Sequence, residues 1–316
     1  MKSKAGTNIG EVSGAAKQDS KAPTNAPPAW PEFIRSSTPE QIKQRFCSEI
    51  DSITAKYQEL SKESCFLFLF NPNGSIGAFD LDQIFAALTL LNPQKDKSIV
   101  LTMLSAGGSI ESAYQIAKLC KSFTDKKFII IIPRQAKSAA TLLALGADEI
   151  HMGSLSQLGP IDPQLGGLPA LGVSQALKTI AELSEQYPGS SEMFAKYLRM
   201  AVTVEQIGYC ERISESAVQY ATRLLETKLK IPEKAETIAR ELVYEYKDHG
   251  FVIDSDEAKK HLGDWIVSDS KGIEFAEEVY KLYDVVGLFL RIFSSKYMWW
   301  VGPSKDKNVF LMDIPK

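Results

Sequence analysis

The chain has 316 residues, of which 44% are apolar and 24% charged, and its formal net charge is -3. That composition is typical of a folded protein with a substantial core, and without a basic excess we expect no nucleic-acid partner. The four cysteines form no CxxC pair, so the sequence indicates neither a zinc ribbon nor a redox motif, and we expect no metal or other cofactor. No apolar run approaches the length of a signal peptide or a transmembrane segment, which predicts a cytoplasmic protein.

The chain begins with a polar segment, and the spacing of apolar residues after it is typical of a helix. Residues 1–29 are rich in Lys, Ser, Ala, Gly, Asn and Pro, which predicts a disordered tail because such a segment cannot bury enough apolar surface. Thr38 followed by Pro39 is typical of a helix start. Apolar residues at three- and four-residue spacing then predict a helix over 38–62, within an N-terminal helical segment at 30–63.

From Cys65 onward, short apolar runs alternate with helical patterns. Strands are predicted at 65–70, 98–104, 128–133 and 148–152, and helices at 80–91, 108–123 and 138–145. This alternation predicts an α/β core over 64–170, in which a parallel sheet has helices packed on its faces.

The remainder, 171–316, is mainly helical by pattern, and we expect it to complete the same domain. Helices are predicted at 173–185, 190–207, 214–229, 232–248 and 254–262. The C-terminal stretch is aromatic and apolar but has no clear period, so it predicts no element.

Two segments carry candidate chemistry. In the first, a buried strand runs into Gly107-Gly108 and then a helix, which could present amide donors to an oxyanion, or could simply be a flexible strand-to-helix turn. In the second, a strand ends at Pro133 and Ser138 begins a helix rich in small residues such as Ala139, where the serine could be a nucleophile or only an N-cap. Both lie past the carboxyl ends of neighbouring predicted strands, the edge at which sites of open α/β sheets gather.

The stretches LTMLSAGGSIESAYQIA and IIIIPRQAKSAATLLALGADEIHMGSLSQLGPIDPQ resemble the serine dehydrogenase proteinase family. That family is similar to signal peptide peptidase A and, more distantly, to ClpP and the crotonases. The resemblance covers about residues 64–170 and continues more weakly to about 265. It implies a ClpP/crotonase-like fold, a polypeptide substrate, a homo-oligomer, and a serine peptidase that forms an acyl-enzyme on Ser138. It also implies Gly107 and Gly108 as oxyanion-loop glycines and Gly159–Gln164 as a segment lining the substrate beside the serine.

The base that would activate the serine is less clear from the sequence. A lysine base needs burial to lower its pKa, and Lys178 follows the serine at a spacing close to that of some small relatives, although a lysine on an amphipathic helix more often faces solvent. His249 lies where the family often has a histidine, and Asp162 could orient a base or cap a turn. We rank Lys178 first, His249 second and Asp162 as a supporting group. Of the other two histidines, we expect His151 to point out of the sheet and His261 to lie on the surface.

Two other functions stay open at this point. Without a working base, the fold would serve as a non-catalytic peptide-binding or assembly module. A crotonase-like acyl-CoA enzyme could use the same oxyanion loop but would not need Ser138.

Overall fold

The structure, a computed structural model, describes residues 28–165, 168–229 and 232–314. The tail predicted over 1–29 lies outside these residues, apart from its last two. Three helices follow: α1 (Trp30–Ser36), α2 (Pro39–Lys56) and α3 (Gln58–Lys62). Thr38 caps α2 through reciprocal hydrogen bonds with Gln41, as the sequence pattern predicts. The helix predicted over 38–62 is interrupted at Tyr57, whose hydroxyl donates to the Glu278 carboxylate at 3.0 Å.

The α/β core alternates as predicted. Its elements are β1 (Ser64–Asn71), α4 (Ala78–Leu91), β2 (Ser98–Ser105), α5 (Ile110–Ser122), β3 (Phe128–Ile132), β4 (Gln135–Ala136), α6 (Ala139–Leu145), β5 (Glu149–Met152) and β6 (Gln157–Leu158). Strands β1, β2, β3 and β5 pair in parallel in that order, so all four point their carboxyl ends to one edge of the sheet. The short strand β4 pairs with the end of β2 through Ser105 and Ala136.

A helical region follows the core. It contains a small hairpin of β7 (Gln164–Leu165) and β8 (Leu168–Pro169), then α7 (Ala170–Gln186), α8 (Ser191–Ala201), α9 (Val204–Leu229), α10 (Pro232–Arg240), a π-helical turn (Glu241–Glu245) and α11 (Ser255–Leu262). The prediction of separate helices at 190–207 and 214–229 is wrong. The break falls at Val202–Thr203 instead, because Thr203 and Gln206 exchange capping hydrogen bonds that start α9 there.

The C-terminal region also contains strands that the sequence pattern does not indicate. They are β9 (Ile266–Val267), β10 (Lys296–Gly302) and β11 (Val309–Asp313), with the long helix α12 (Lys271–Ser294) between β9 and β10. Within the described residues the main path of the sheet runs β11-β10-β1-β2-β3-β5-β9. β10 lies antiparallel to β1, and the Trp300 ring stacks on Phe68 with centroids 3.9 Å apart. Because β10 buries residues on both of its faces, it shows no alternation of apolar and polar residues.

The sheet separates two apolar layers. On one face α4, α5, α6 and α9 pack successively against each other, and on the other face α12 packs against α1 and α2. None of the helices in the described part of the chain combines the length and apolarity needed to cross a bilayer. The arrangement brings the loop after β2 and the start of α6 to the same edge of the sheet.

Candidate active site

Ser138 occupies a strained backbone conformation between β4 and α6. Its φ of 52° and ψ of -118° fall in a region of backbone angles where residues other than glycine are rarely found. Holding a residue there costs about 1–3 kcal/mol of folding free energy. Its hydroxyl makes no capping bond to α6, so the interpretation of Ser138 as a simple N-cap is wrong. Residues on either side fix the turn, because the Lys137 amide donates to Ser105 O at 3.1 Å and the Leu142 amide to Ser138 O at 3.1 Å. A strained serine whose hydroxyl is not used for capping is consistent with a nucleophile.

The glycine pair lies directly against this serine. Gly107 has a φ of 115°, and a Cβ added there would lie 2.9 Å from the Ser138 Cβ. Gly108, with a φ of 150°, bridges to Ile76: the Ile76 amide donates to Gly107 O at 2.8 Å and the Ser109 amide to Ile76 O at 2.9 Å. Neither glycine could carry a side chain without displacing its neighbours, so close approach of backbones explains the Gly-Gly sequence.

The amide donors near Ser138 differ in availability. The Gly107 amide donates to Ser105 Oγ at 3.1 Å, so it is already satisfied. Among the described residues, the amides of Gly108 and Ala139 have no acceptor. Ala139 begins α6, where the helix dipole adds a partial positive charge. The geometry therefore favours Gly108 with Ala139, rather than Gly107 with Gly108, as the pair that would bind an oxyanion.

His249 and Asp162 lie close to each other. His249 Nδ1 lies 3.6 Å from Asp162 Oδ2, and the Asp162 side chain is only 7% exposed against 32% for His249. The amide Nε2 of Gln164 lies 3.1 Å from Asp162 Oδ2 and 3.1 Å from His249 Nδ1, so it contacts both groups. Within the described residues, the other carboxylate oxygen of Asp162 is buried without a hydrogen-bond partner.

The glycine loop, Ser138, Gln164 and His249 line one cleft of about 490 Å³, and Asp162 lies next to it, directly before Pro163 and Gln164 in the chain. Its walls include the loop at Gly74–Ser75, the segment Ala106–Glu111, Ser138, Pro163, Gln164, Tyr209, Ile213 and His249. Tyr209 and Ile213 come from α9, and nothing in the local sequence pattern marks either of them as a site residue. No group of three or more potential metal ligands occurs among the residues the structure describes.

Four of the predicted site residues do not line the cleft: Asp162 and Ala139, which each precede or follow a lining residue in the chain, and Lys178 and Gly159, which do not. Lys178 is exposed on α7 and lines a different cavity, which it shares with Glu211 and Tyr244. The geometry therefore does not support Lys178 as the first candidate base, because the helix turns this side chain to solvent. Gly159 does not line the cleft either: a Cβ there would lie 2.4 Å from Lys137 Cδ, so the glycine leaves room for that side chain.

The two remaining histidines have structural partners. His151 is buried at β5, where Nδ1 lies 2.8 Å from Ser270 Oγ and Nε2 lies 3.1 Å from Glu149, and burial lowers its pKa. His261 lies 2.8 Å from the Tyr246 hydroxyl, and neither histidine lines the cleft with Ser138. Of the three histidines, His249 alone contributes to the cleft lining.

A family model described as a ClpP-like SDH-type serine proteinase matches residues 76–288, more than half of the chain. The chain belongs to this family. Both the family and the ClpP-like α/β fold predicted from the sequence are thereby confirmed. The SDH-type match contains every residue of the candidate site except the wall at Gly74–Ser75.

Two relatives from an archaeon match only a segment of the chain. The uncharacterized protein MJ0137 of Methanocaldococcus jannaschii is 43% identical over 84 residues, which are 27% of this chain and 29% of that protein. The uncharacterized protein MJ1495 of the same organism is 37% identical over 97 residues, 31% of this chain and 32% of that protein. The chain thus covers less than a third of either relative.

Two solved structures align with the structure of this chain. The membrane-bound stomatin-specific protease 1510-N aligns with a TM-score of 0.42 and 16% identity over 70% of this chain and 83% of its own. ClpP1 from Listeria monocytogenes aligns with a TM-score of 0.39 and 15% identity over 69% of this chain and 99% of its own. Neither alignment carries a functional argument.

Proposed function

We propose that this protein is a serine peptidase in which Ser138 is the nucleophile, His249 the general base and Asp162 the group that orients the base. The observation that carries the proposal is the strained Ser138, which lies in one cleft with His249 and next to two amides without acceptors among the described residues. Membership of the ClpP-like SDH-type serine proteinase family supports the same class of reaction.

In the proposed mechanism, Ser138 Oγ attacks the carbonyl carbon of a peptide bond while its proton passes to His249 Nε2. The amides of Gly108 and Ala139 stabilise the oxyanion of the tetrahedral intermediate. His249 then gives the proton to the leaving amine, which departs and leaves an acyl-enzyme on Ser138. Water, deprotonated by His249, attacks the ester carbonyl, and the returning proton regenerates the serine and releases the carboxylic acid.

Asp162 would act through His249. When Nδ1 donates to the Asp162 carboxylate in place of its contact with the Gln164 amide, the histidine carries its proton there, which leaves Nε2 unprotonated to accept a proton. The low exposure of Asp162 strengthens this interaction, because the surrounding dielectric is lower than that of water.

Self-association and a polypeptide substrate are further parts of the proposal. The turn after α7, the helix α8 and the start of α9 expose large apolar side chains: Tyr187, Met193, Tyr197, Met200 and Val204. Clusters of exposed apolar residues are typical of surfaces that bind protein. Sedimentation of the purified chain at several concentrations measures whether copies associate, and a monomer at every concentration would contradict this part alone.

The principal experiment is labelling with a fluorophosphonate probe, which reacts only with an activated serine. We expect labelling of the intact protein, mapped by mass spectrometry to Ser138, and its loss in Ser138→Ala together with the loss of peptide hydrolysis. Ser122→Ala is a matched control, because this exposed serine at the end of α5 only donates to Leu119 O at 2.8 Å. A folded protein that shows no labelling between about pH 6 and 9 would overturn the peptidase proposal and favour a non-catalytic module.

A further inference from the structure

Lys137, which immediately precedes the proposed nucleophile, has a side chain directed away from the cleft and into the protein. The residue is 9% exposed. Its ammonium lies 2.8 Å from Phe251 O, 3.3 Å from Leu158 O and 3.4 Å from Gly250 O. Three donors thus meet three carbonyl acceptors, which is the full donor capacity of a lysine.

The aliphatic part of Lys137 depends on Gly159. Because a Cβ at Gly159 would lie 2.4 Å from Lys137 Cδ, only glycine at this position leaves the path of the side chain open. Burial lowers the pKa of the Lys137 ammonium, and the nearby carboxylate of Asp248 opposes that shift. The lysine therefore spans the space between the nucleophile turn and the segment around residue 250.

That segment carries His249. Asp248 starts a turn in which its carboxylate accepts from the Gly250 amide at 2.5 Å and its carbonyl accepts from the Phe251 amide at 3.0 Å. Two residues later, Ile253 pairs with Leu158 through backbone hydrogen bonds of 2.8 and 3.1 Å. The bridge at Ile253 fixes the far end of the turn, whereas the carbonyls next to His249 have the Lys137 ammonium as their partner.

The geometry points to Lys137 as a positioning residue: its ammonium holds the His249 turn at a fixed place relative to Ser138. This inference rests on the proposed function. Lys137 and Ser138 are neighbours in the chain, so one side chain ties the turn that carries the base to the turn that carries the nucleophile. Without the ammonium, the carbonyls of Gly250 and Phe251 would lose a buried partner, and the turn would adjust to reach other donors or water. A displacement of about 1 Å of a catalytic group costs on the order of a hundredfold in rate.

The test is a double-mutant cycle on the rate constant of fluorophosphonate labelling. Lys137→Met keeps the aliphatic length and removes the ammonium, and His249→Ala removes the base. We expect Lys137→Met to slow labelling about tenfold or more in the intact background. In the His249→Ala background the same change is expected to slow labelling less than about twofold, because the lysine acts through the histidine. Lys118→Met, on the exposed face of α5, is the control for loss of a lysine charge.

Circular dichroism and thermal unfolding establish which variants are folded. If Lys137→Met does not fold, Lys137→Gln takes its place in the cycle, since its amide still donates to one carbonyl and we expect a smaller reduction in the rate constant.

The outcomes separate the two proposals. Absence of labelling in the intact protein contradicts the peptidase itself. Labelling that requires His249 but is unaffected at position 137 overturns only the positioning role. An equal reduction in both backgrounds also overturns it, because the lysine would then act on the serine or on the fold rather than on the histidine.

Discussion

Gly107 and Ser138 touch so closely that a methyl group on the glycine would lie 2.9 Å from the serine Cβ. The same methyl would lie 2.9 Å from Lys137 O, and the φ of 115° at this glycine is unfavourable for alanine. We therefore expect Gly107→Ala to lower the free energy of unfolding by about 1–3 kcal/mol and to reduce labelling of Ser138 at least about a hundredfold. Urea unfolding and labelling kinetics measure the two effects.

The matched control for this change is Gly189→Ala. No atom outside the neighbouring residues lies within 4 Å of a Cβ at that glycine, and its φ is not in the left-handed region. Both measurements should stay at the values of the unmodified protein. A Gly107→Ala variant that labels at the normal rate would contradict the close contact between loop and nucleophile.

The assignment of His249 as base predicts a clear contrast among the basic residues. His249→Ala should slow labelling about 10²- to 10⁴-fold, because a general base contributes that much to proton removal. His261→Ala and Lys178→Met should leave the labelling rate unchanged, since neither side chain lines the cleft. If Lys178→Met abolishes labelling while His249→Ala does not, the base has been assigned to the wrong residue.

Substitution of Gln164 by alanine is expected to raise the labelling rate, whereas Gly107→Ala and His249→Ala are expected to lower it. The Gln164 amide contacts both Asp162 and His249, whose nearest atoms are 3.6 Å apart, longer than a hydrogen bond. Gln164→Ala removes the amide and lets His249 Nδ1 approach the carboxylate, so we expect labelling to accelerate about two- to tenfold. Gln164→Glu is the informative companion, because a second carboxylate at this position should not give the same acceleration. Slower labelling in Gln164→Ala would show that the amide supports the histidine instead.

Lys228 predicts a dependence of stability on pH. Its ammonium binds the carbonyls of Leu145, at 2.6 Å, and Ala147 at the end of α6, and burial lowers its pKa to about 8. Between about pH 8 and 10.5 the unfolded chain holds this proton and the folded chain does not, so the contribution of Lys228 to stability increases with pH in that range. This increase in the free energy of unfolding should amount to about 3 kcal/mol over the range, and it should be absent from Lys228→Met.

The measurement is the free energy of unfolding in urea at about pH 7.5, 9 and 10.5 for the intact chain and for Lys228→Met. Other lysines and tyrosines also titrate in this range, so the difference between the two proteins is the relevant quantity. If the two pH profiles run parallel, the lysine keeps its ordinary pKa in the folded protein.

The core strands could be predicted because β1, β2 and β3 are continuous apolar runs, each followed by a turn and a helical pattern. β10 could not be predicted because its burial follows from pairing with β1, which is more than 200 residues away in the chain. The glycine loop and Ser138 could be located from local sequence, but the backbone angles that distinguish a strained serine from an N-cap could not.

The sequence ranks Lys178 above His249 as candidate base, and the structure does not support that order. Local sequence cannot show which of Lys178 and His249 reaches the serine, because it is tertiary packing that turns the lysine to solvent and brings His249 next to Asp162. The role of Gly159 could not be predicted either, because the need for a glycine there arises from Lys137, whose path the sequence does not reveal.

The position of β1 has a practical consequence for anyone who expresses a shortened form. The family match begins after β1 ends and stops before β10 and β11 begin, although β1 lies between β10 and β2 in the sheet. A fragment trimmed to 76–288 would lack β1, so the backbone groups of β2 that pair with β1 would be unpaired along the whole strand. Such an exposed edge can pair with strands of other molecules. Shortened forms should therefore retain residues 30–313, because α1 and α2 also cover the apolar face of α12, or they will precipitate for reasons unrelated to catalysis.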